Sequence, residues 1–313
     1  MNPIDFTGIQ TLVTGGAGFI GSHLVDALVA RGARVRVLDN LETGYRENLA
    51  QCLDRIEFVV GDIRDVAVCH DAMRGVEYVF HQAALGSVPR SMADPATSID
   101  VNVCGTANIF VAARDAKVRR VVYASSSSVY GDSTRLPKKE GEEGKPLSPY
   151  ALSKHIDEEL ADTFARCFGL EAIGLRYFNV YGPRQDPNGA YPAVIPSFFA
   201  ACLRGDSPVI FGDGTQSRDF TFVADVVMAN LLAASAAATS CGRAYNVGAG
   251  GSTSVNDLVR AVIEVTGASV TPRYEAPRAG DVPFSNADVA DAKLMLGFAA
   301  SVGLAEGILR TKP

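Results

Sequence analysis

A tyrosine and a lysine, Tyr150 and Lys154, stand four positions apart in the stretch LSPYALSKHIDEELADTF. At 100° per residue, this spacing puts both side chains on one face of a helix. A free tyrosine has a pKa near 10 and is a poor base at neutral pH, but an ammonium group one turn away favours its phenolate. The pair therefore indicates proton removal from an alcohol. The alternative is an ordinary solvated helix face.

A run of four serines, Ser125 to Ser128, lies in the stretch ASSSSVYG, where a predicted strand ends. A hydroxyl at this position can hydrogen-bond the oxygen of an alcohol or ketone while Tyr150 moves the proton. The alternative is a small-residue turn whose serines bond the backbone, and we expect this role for at least two of the four.

The helix that carries Tyr150 and Lys154 has clear boundary signals. Ser148 is a good N-cap, Pro149 a good first residue and Gly169 a good stop. Its apolar stripe consists of Leu152, Ile156, Leu160 and Phe164. Tyr150 and Lys154 lie about 160° or more from the first two of these residues, so we expect the stripe to pack and the Tyr-Lys face to point elsewhere.

Short β-branched runs alternate with helical patterns through the first half of the chain. They are QTLVT (10–14), ARVRVLD (33–39), RIEFVV (55–60), VEYVFH (76–81), RRVVYAS (119–125) and EAIGLRYF (171–178). Strands that are apolar on both faces and separated by helical crossovers predict an α/β fold with a doubly wound parallel sheet. After about residue 180 the sequence becomes rich in Pro and Gly, which indicates a smaller C-terminal α/β substrate-binding region.

A glycine-rich turn follows the first strand and opens a helix. Gly16, Gly18 and Gly21 satisfy G-x-G-x-x-G, and Gly15, Gly18 and Gly21 satisfy the related G-x-x-G-x-x-G. Such glycines let backbone N–H groups approach a pyrophosphate at a helix N-terminus. The second strand ends in Asp39, where a carboxylate would hold two ribose hydroxyls and repel a 2′-phosphate. The pattern predicts a Rossmann-type domain that binds NAD rather than NADP.

Further cofactor contacts are expected where the next strands end, in GDI (61–63) and HQAA (81–84). Asp39 has the alternative role of a turn residue before Asn40, and Asp62 that of a helix cap. The residues expected to contact NAD are Gly15, Gly18, Phe19, Ile20, Gly21, Asp39, Asn40, Asp62, Ile63, Gln82, Ala83, Ala84, Tyr150 and Lys154.

Composition excludes several classes of function. The chain has 313 residues, a net charge of −6 and spread-out basic residues, so no nucleic-acid partner is expected. It shows no signal-peptide pattern and no apolar run of the ~18 residues needed to span a membrane. The six cysteines never approach CxxC spacing, so we expect reduced core residues of a cytoplasmic protein and no metal site.

Four longer stretches carry a resemblance to a known family. They are HQAALGSVPRS (81–91), SSSSVYGD (125–132), LRYFNVYGPRQDPNGAY (175–191) and GDGTQSRDFTFVADV (212–226). With the glycine turn and the Tyr-Lys pair, they make the chain similar to the extended short-chain dehydrogenases/reductases. Within that superfamily it resembles the nucleotide-sugar 4-epimerases, most closely the bacterial UDP-N-acetylglucosamine 4-epimerases.

The resemblance implies roles for individual residues. Ser126 would be the catalytic serine, Tyr150 the base and Lys154 the residue that holds the nicotinamide ribose. The implied substrate contacts are Gly86, Ser87, Ser126, Ser127 and Ser128 near the sugar, Asn179, Arg218 and Arg278 at the pyrophosphate, Asp281 at the uridine ribose and Ser285 opposite the hexose 2-substituent. Small Ser285 would admit an N-acetyl group. The two arginines have the alternative of surface ion pairs, and Ser285 that of a plain loop residue.

The activity implied is reversible inversion at C4 of a UDP-hexose or UDP-N-acetylhexosamine through a 4-keto sugar. Alternatives are UDP-glucuronate 4-epimerase, another NAD-dependent nucleotide-sugar enzyme, or a non-catalytic NAD-binding sensor. The resemblance places the NAD domain at 1–178 plus about 221–249, and the UDP-sugar domain at about 179–220 and 250–313. It also implies a homodimer whose four-helix bundle is formed by residues 97–114 and the Tyr-Lys helix.

Overall fold

The computed structural model describes residues 3–186, 193–277 and 283–312, and its centre is a parallel sheet of seven strands. The strands of the described residues are β1 (Gln10–Thr14), β2 (Arg34–Asp39), β3 (Ile56–Val60), β4 (Tyr78–His81), β5 (Arg120–Ser126), β6 (Ala172–Tyr177), β7 (Val180–Tyr181), β8 (Val209–Phe211), β9 (Ser217–Arg218), β10 (Thr221–Phe222), β11 (Arg243–Val247), β12 (Thr253–Ser254), β13 (Arg273–Glu275) and β14 (Phe284–Ser285). The central sheet has the order β3-β2-β1-β4-β5-β6-β11. This order confirms the predicted Rossmann-type α/β fold.

Helices cover both faces of this sheet. They are α1 (Phe19–Ala30), α2 (Val66–Ala72), α3 (Val88–Ala93), α4 (Pro95–Ile99), α5 (Gly105–Asp115), α6 (Pro149–Phe168), α7 (Val194–Arg204), α8 (Val223–Ser235), α9 (Val255–Thr266), α10 (Ala290–Leu296) and α11 (Leu304–Thr311). Side chains of α1, α8 and α10 form one apolar core with the sheet, and those of α2, α5 and α6 form the other. A third core joins α7, α9 and α11.

Strand β1 is the point at which the strand order reverses. Thr14, its last residue, pairs with Leu38 of β2 on one side and with His81 of β4 on the other. The carboxyl ends of β1, β2 and β4 therefore lie side by side. In an open α/β sheet this is the crevice where ligands bind.

The six predicted strands agree with β1 to β6 to within two residues at each end. Strand β11 was not predicted, and Asn246 explains why. This amide is fully buried because Asn246 donates to the carbonyls of Lys138 and Asp288 and accepts from the Tyr130 hydroxyl. A polar residue at the fourth position of a five-residue strand breaks the apolar pattern from which strands are recognised.

Helix α6 begins and ends as predicted. The Ser148 hydroxyl accepts from the Ala151 N–H, and Gly169 closes the helix at φ +69°. The predicted packing face is confirmed at the end of the stripe, where Phe164 is buried in the core. It was wrong at the start, since Leu152 is 43% exposed, whereas Lys154 is 2% exposed and lies on the buried face of the helix.

The helix predicted over 97–114 is confirmed, and it contains a π-helical segment, Asp100–Cys104, between α4 and α5. All six cysteines are free, but Cys104 and Cys167 are exposed rather than in the core. In the part of the chain that the structure describes, no helix has the length and apolarity to cross a membrane.

Candidate active site

A cavity of about 740 Å³ opens at the carboxyl ends of the central strands, beside the point where the strand order reverses. Its walls come from the glycine-rich turn after β1, from the segments that follow β2 to β6, and from the first turn of α6. Every residue expected to contact NAD lines this cavity. The structure therefore brings together side chains that are far apart in the sequence.

The glycine-rich turn is tight enough to require its glycines. Gly15 has φ +66°, and a Cβ on this residue would lie 2.7 Å from the backbone of Ala83. A Cβ on Gly21 would lie 2.1 Å from the carbonyl oxygen of Gly15. Helix α1 starts after Gly18 with no side-chain cap, which leaves the N–H groups of its first turn for a ligand at the cavity wall. A helix N-terminus with free N–H groups favours an anion such as a pyrophosphate.

Asp39 presents a carboxylate at the end of β2. It is buried, and its Oδ2 accepts from the Ala17 N–H at 2.9 Å while its Oδ1 accepts from the Leu41 N–H at 2.8 Å. Each oxygen keeps a further lone pair, so the group can also accept from hydroxyls in the cavity. The two backbone contacts fix the carboxylate in place, in accord with a diol-binding role.

Asp62 does not cap helix α2, because Asp65 holds that position. Asp62 instead accepts hydrogen bonds from Arg64 and from Asn40, whose Nδ2 lies 3.0 Å from Asp62 Oδ2. The bonds from Arg64 lower the pKa of Asp62 to about 2, so the carboxylate stays charged. Asn40 and Asp62 thus hold each other at the same wall of the cavity.

Gln82 is held by two residues that sequence reasoning missed. The Tyr177 hydroxyl donates to Gln82 Oε1 at 3.0 Å, Asn230 donates to the same hydroxyl at 2.9 Å, and Gln82 donates to Asn230 Oδ1 at 3.1 Å. Burial raises the pKa of Tyr177 to about 12, which keeps it a neutral donor. Tyr177 lines the cavity. Its position two residues before the predicted site residue Asn179 could have identified it from the sequence.

Tyr150, Lys154 and three of the four serines, Ser125 to Ser127, line the cavity together. Ser126 ends β5 and its Oγ accepts from the Ser128 N–H at 3.1 Å, while Ser127 begins the next turn. The Ser125 hydroxyl donates to Glu158 at 2.5 Å, and the Ser128 hydroxyl is buried with no partner among the described residues. Ser125 therefore lines the cavity with its hydroxyl already bound to Glu158, whereas Ser128 is absent from the lining of the cavity.

Lys154 is held from behind by a buried carboxylate. Its Nζ lies 3.1 Å from Asp157 Oδ2, and the side chains are 3% and 1% exposed. Burial raises the pKa of Asp157 to about 6, and burial lowers that of the nearby His81 to about 3, so the imidazole is neutral. Asp157 carried no recognised sequence signal, since acidic residues in that stretch also fit a solvated face.

The expected substrate residues divide into two groups. Gly86, Ser87 and Asn179 line the cavity. Ser87 caps α3 through the Arg90 N–H, and Asn179 has φ +30° and donates to the carbonyl of Asp219. Arg218 and Ser285 pair on neighbouring strands β9 and β14 and are not among its described lining residues. Arg278 and Asp281 lie outside the described residues.

This arrangement can bind a dinucleotide and transfer a proton beside it. A phenol and a buried ammonium, one turn apart on α6, line the same cavity as the serine Ser126 and the glycine-rich turn. Such a set can take a proton from a carbinol or return it to a ketone.

Comparison with known proteins gives one family and close structural likenesses. Residues 11–248 match the NAD dependent epimerase/dehydratase family. The chain is 43% identical over 307 residues to a UDP-glucose 4-epimerase of Mycolicibacterium smegmatis, covering 97% of each chain. Among solved structures it is similar to a UDP-glucose 4-epimerase of Thermotoga maritima with UDP-glucose, at TM-score 0.92 and 40% identity over 97% of each chain.

A second solved structure is a UDP-N-acetylglucosamine 4-epimerase of Methanobrevibacter ruminantium in complex with UDP-N-acetylmuramic acid. Its TM-score is 0.93 at 38% identity, and the match covers 98% of this chain and 97% of the other. The similarity to proteins that act on glucose-type and on N-acetylated UDP-sugars extends over nearly the whole chain.

Proposed function

The chain belongs to the NAD dependent epimerase/dehydratase family, and from this premise we propose that it is a UDP-sugar 4-epimerase. It would interconvert the C4 epimers of a UDP-hexose or UDP-N-acetylhexosamine. The observation that carries the proposal is the convergence of Tyr150, Lys154 and Ser126 on one cavity with the glycine-rich turn. A protein that only bound NAD would not need this second group of side chains.

The cofactor is NAD, and the described residues fit it. A Cβ on Gly15 or Gly21 would clash with backbone, so the turn requires glycine at both positions, which supports its assignment as a dinucleotide-binding turn. The N-terminus of α1 would hold the pyrophosphate, Asp39 an adenosine ribose, and Lys154 the nicotinamide ribose. Bound NAD would supply the acceptor for the hydride of the sugar C4 and the source of its return.

Tyr150 would act on the sugar O4. As a phenolate it removes the O4 proton when the sugar is oxidised, and as a phenol it returns the proton to the 4-keto oxygen. Ser126 would hydrogen-bond the same oxygen in both states, while Lys154 stabilises the phenolate from the next turn of α6. Between the two half-reactions the 4-keto sugar would turn about its pyrophosphate and present its other face. Return of the hydride to that face would invert the configuration at C4.

We assign the remaining substrate contacts to the segments that follow β4, β5 and β6 and to the C-terminal region. Gly86, Ser87 and Ser127 would surround the hexose, with Ser128 behind them. The nucleotide contacts would be Asn179, Arg218, Arg278 and Asp281. In this proposal residues 179–220 and 250–313 bind the UDP-sugar, and residues 1–178 with 221–249 bind NAD.

Ser285 would decide whether an N-acetylated sugar fits. It pairs with Arg218 across β14 and β9, so it stands next to a proposed pyrophosphate residue. Ser285→Tyr should abolish turnover of UDP-N-acetylhexosamines and retain that of UDP-galactose. Equal loss on both substrates would contradict this assignment.

We further propose a homodimer in the cytoplasm. Leu147, Leu152 and Met92 expose 59%, 43% and 63% of their surface around the start of α6 and the end of α3. A second copy of this face would bury them in and beside the four-helix bundle expected from the sequence. Light scattering of the purified protein tests the oligomeric state.

The test of the function is proton NMR of purified protein incubated separately with UDP-GlcNAc, UDP-Glc and UDP-GlcA. Tyr150→Phe should abolish conversion while NAD stays bound, because the phenyl ring keeps the packing and loses only the proton-transferring oxygen. Exclusive conversion of UDP-GlcA would show a uronate epimerase. A Tyr150→Phe variant with near-normal kcat would overturn the role of Tyr150, and no product from any substrate would leave an NAD-binding protein without this activity.

A further inference from the structure

Asp157 is the charged group behind the proposed catalytic pair, and none of its atoms lines the cavity. It lies three residues after Lys154 in α6, one turn deeper, with its Oδ2 3.1 Å from the Lys154 Nζ. Lys154, in contrast, reaches the cavity. An acceptor in this position can hold the ammonium without touching substrate or cofactor.

Resting on the proposed epimerase activity, we propose that Asp157 is a positioning residue that holds the Lys154 ammonium at the cavity wall and offsets its field at Tyr150. Lys154 has to hold a ribose and also favour a phenolate. A carboxylate fixed behind it keeps a long, flexible side chain in one place. Its negative charge also limits how strongly the ammonium acts on the phenol.

The hydrogen bonds around Asp157 leave Lys154 as its donor. Thr106, which lies close by on α5, uses its single hydroxyl proton on the carbonyl of Asn102 and accepts from His81 Nε2. The His81 Nδ1 in turn accepts from the Thr14 hydroxyl. Asp157 Oδ1 has no partner among the described residues. The carboxylate of Asp157 therefore relies on the Lys154 ammonium for its hydrogen bond. Without its partner, either group would be a buried charge with no opposite charge beside it.

Few other titratable groups face this pair. On α6 itself the neighbour is Glu158, which is bound to Arg176 of β6. Tyr123 of β5 and His81 of β4 pack against the same part of the helix and are neutral, since burial raises the pKa of the first and lowers that of the second. With a pKa of about 6, Asp157 is the group here that changes charge near neutral pH.

The size of the effect follows from the helix geometry. Tyr150 and Asp157 are seven residues apart, which places them roughly 10 Å apart along the axis. A unit charge at that distance, with an effective dielectric constant of about 20 to 40, shifts a titration by roughly half to one pH unit. Removal of the Asp157 charge should let Tyr150 work at lower pH by this amount.

The first test compares Asp157→Asn with Asp162→Asn. The amide keeps an acceptor for Lys154 but has no charge, and Asp162 is a half-exposed carboxylate on the same helix, paired with Arg166. The acid limb of the kcat profile should move to lower pH by roughly half to one unit in Asp157→Asn. It should not move in the control. An Asp157→Asn profile that coincides with the control would overturn the proposal.

The second test needs no activity, so it separates failure of this inference from failure of the proposed function. Thermal unfolding is measured for Asp157→Leu, Lys154→Met and the double variant. Asp157→Leu strands a buried ammonium and should lower the Tm most, whereas the double variant replaces the pair with apolar groups and should regain most of the loss. Strictly additive changes in Tm would overturn the pairing, even if the wild-type protein is an active epimerase.

Discussion

Gly21→Ala tests whether the turn after β1 needs its glycines as the packing indicates. The added methyl group would lie 2.1 Å from the Gly15 carbonyl oxygen and 2.9 Å from the Gly16 Cα. Since real contacts of this kind are longer by more than about 1 Å, backbone must move. Alanine gains about 1 kcal/mol of helix propensity over glycine. Overpacking costs about 1–3 kcal/mol, and we take the upper end because the clash is with backbone, in the turn proposed to hold the pyrophosphate.

A net cost near 2 kcal/mol to the NAD-binding conformation corresponds to a roughly 30-fold weaker NAD affinity. Calorimetric titration of cofactor-stripped protein with NAD measures it. Gly251→Ala is the matched control, because a Cβ there meets nothing within 4 Å and Gly251 does not line the cavity. An affinity of Gly21→Ala within threefold of the control would refute the reasoning.

Three further outcomes are expected. Glu158→Gln leaves the buried Arg176 with less countercharge and should cost about 3 kcal/mol in urea unfolding, whereas the exposed Glu159→Gln on the same helix should cost almost nothing. His81 has a folded-state pKa of about 3, below the unfolded value, so the unfolded chain takes up the extra proton and stability falls as pH drops from about 6.5 toward 3. Thermal scans should show a weaker acid dependence for His81→Gln than for wild type, and equal slopes would contradict this. Asp39→Asn sets an amide donor against one of two backbone N–H groups, so the affinity for NAD should fall and the preference for NAD over NADP should decrease in direct binding assays. An unchanged ratio of the NAD and NADP affinities would contradict the assignment of Asp39 to the adenosine ribose.

Much of the fold could be predicted because its signals are local. Strands β1 to β6 are short runs rich in β-branched residues, the α6 caps lie directly beside the helix, and the glycine turn is a short motif between a strand and a helix. The carboxyl ends of parallel strands meet at one edge, so a list of strand-end residues also predicts much of the cavity. This is why the expected NAD contacts line one space.

The rest depends on compensation between residues that no periodic pattern records. Lys154 is buried while Leu152 is exposed, and the burial of the lysine is possible because Asp157 is buried beside it. Asn246 can interrupt the apolar pattern of β11 because the carbonyls of Lys138 and Asp288, in distant segments, accept its hydrogen bonds. Hydrophobic periodicity predicts the burial of each side chain from its own polarity. Whether these polar side chains are buried depends instead on the partners that they pair with.

The position of β11 has a consequence for how the chain is synthesised. About 65 residues separate the end of β6 from the start of β11, its partner at the edge of the sheet. At about 5–20 residues per second, a ribosome takes roughly 3–13 s to make that stretch. During this interval the backbone groups along the edge of β6 have no strand to bind. The nascent sheet thus emerges with an open edge that attracts other strands, and the time for which it stays open is set by translation.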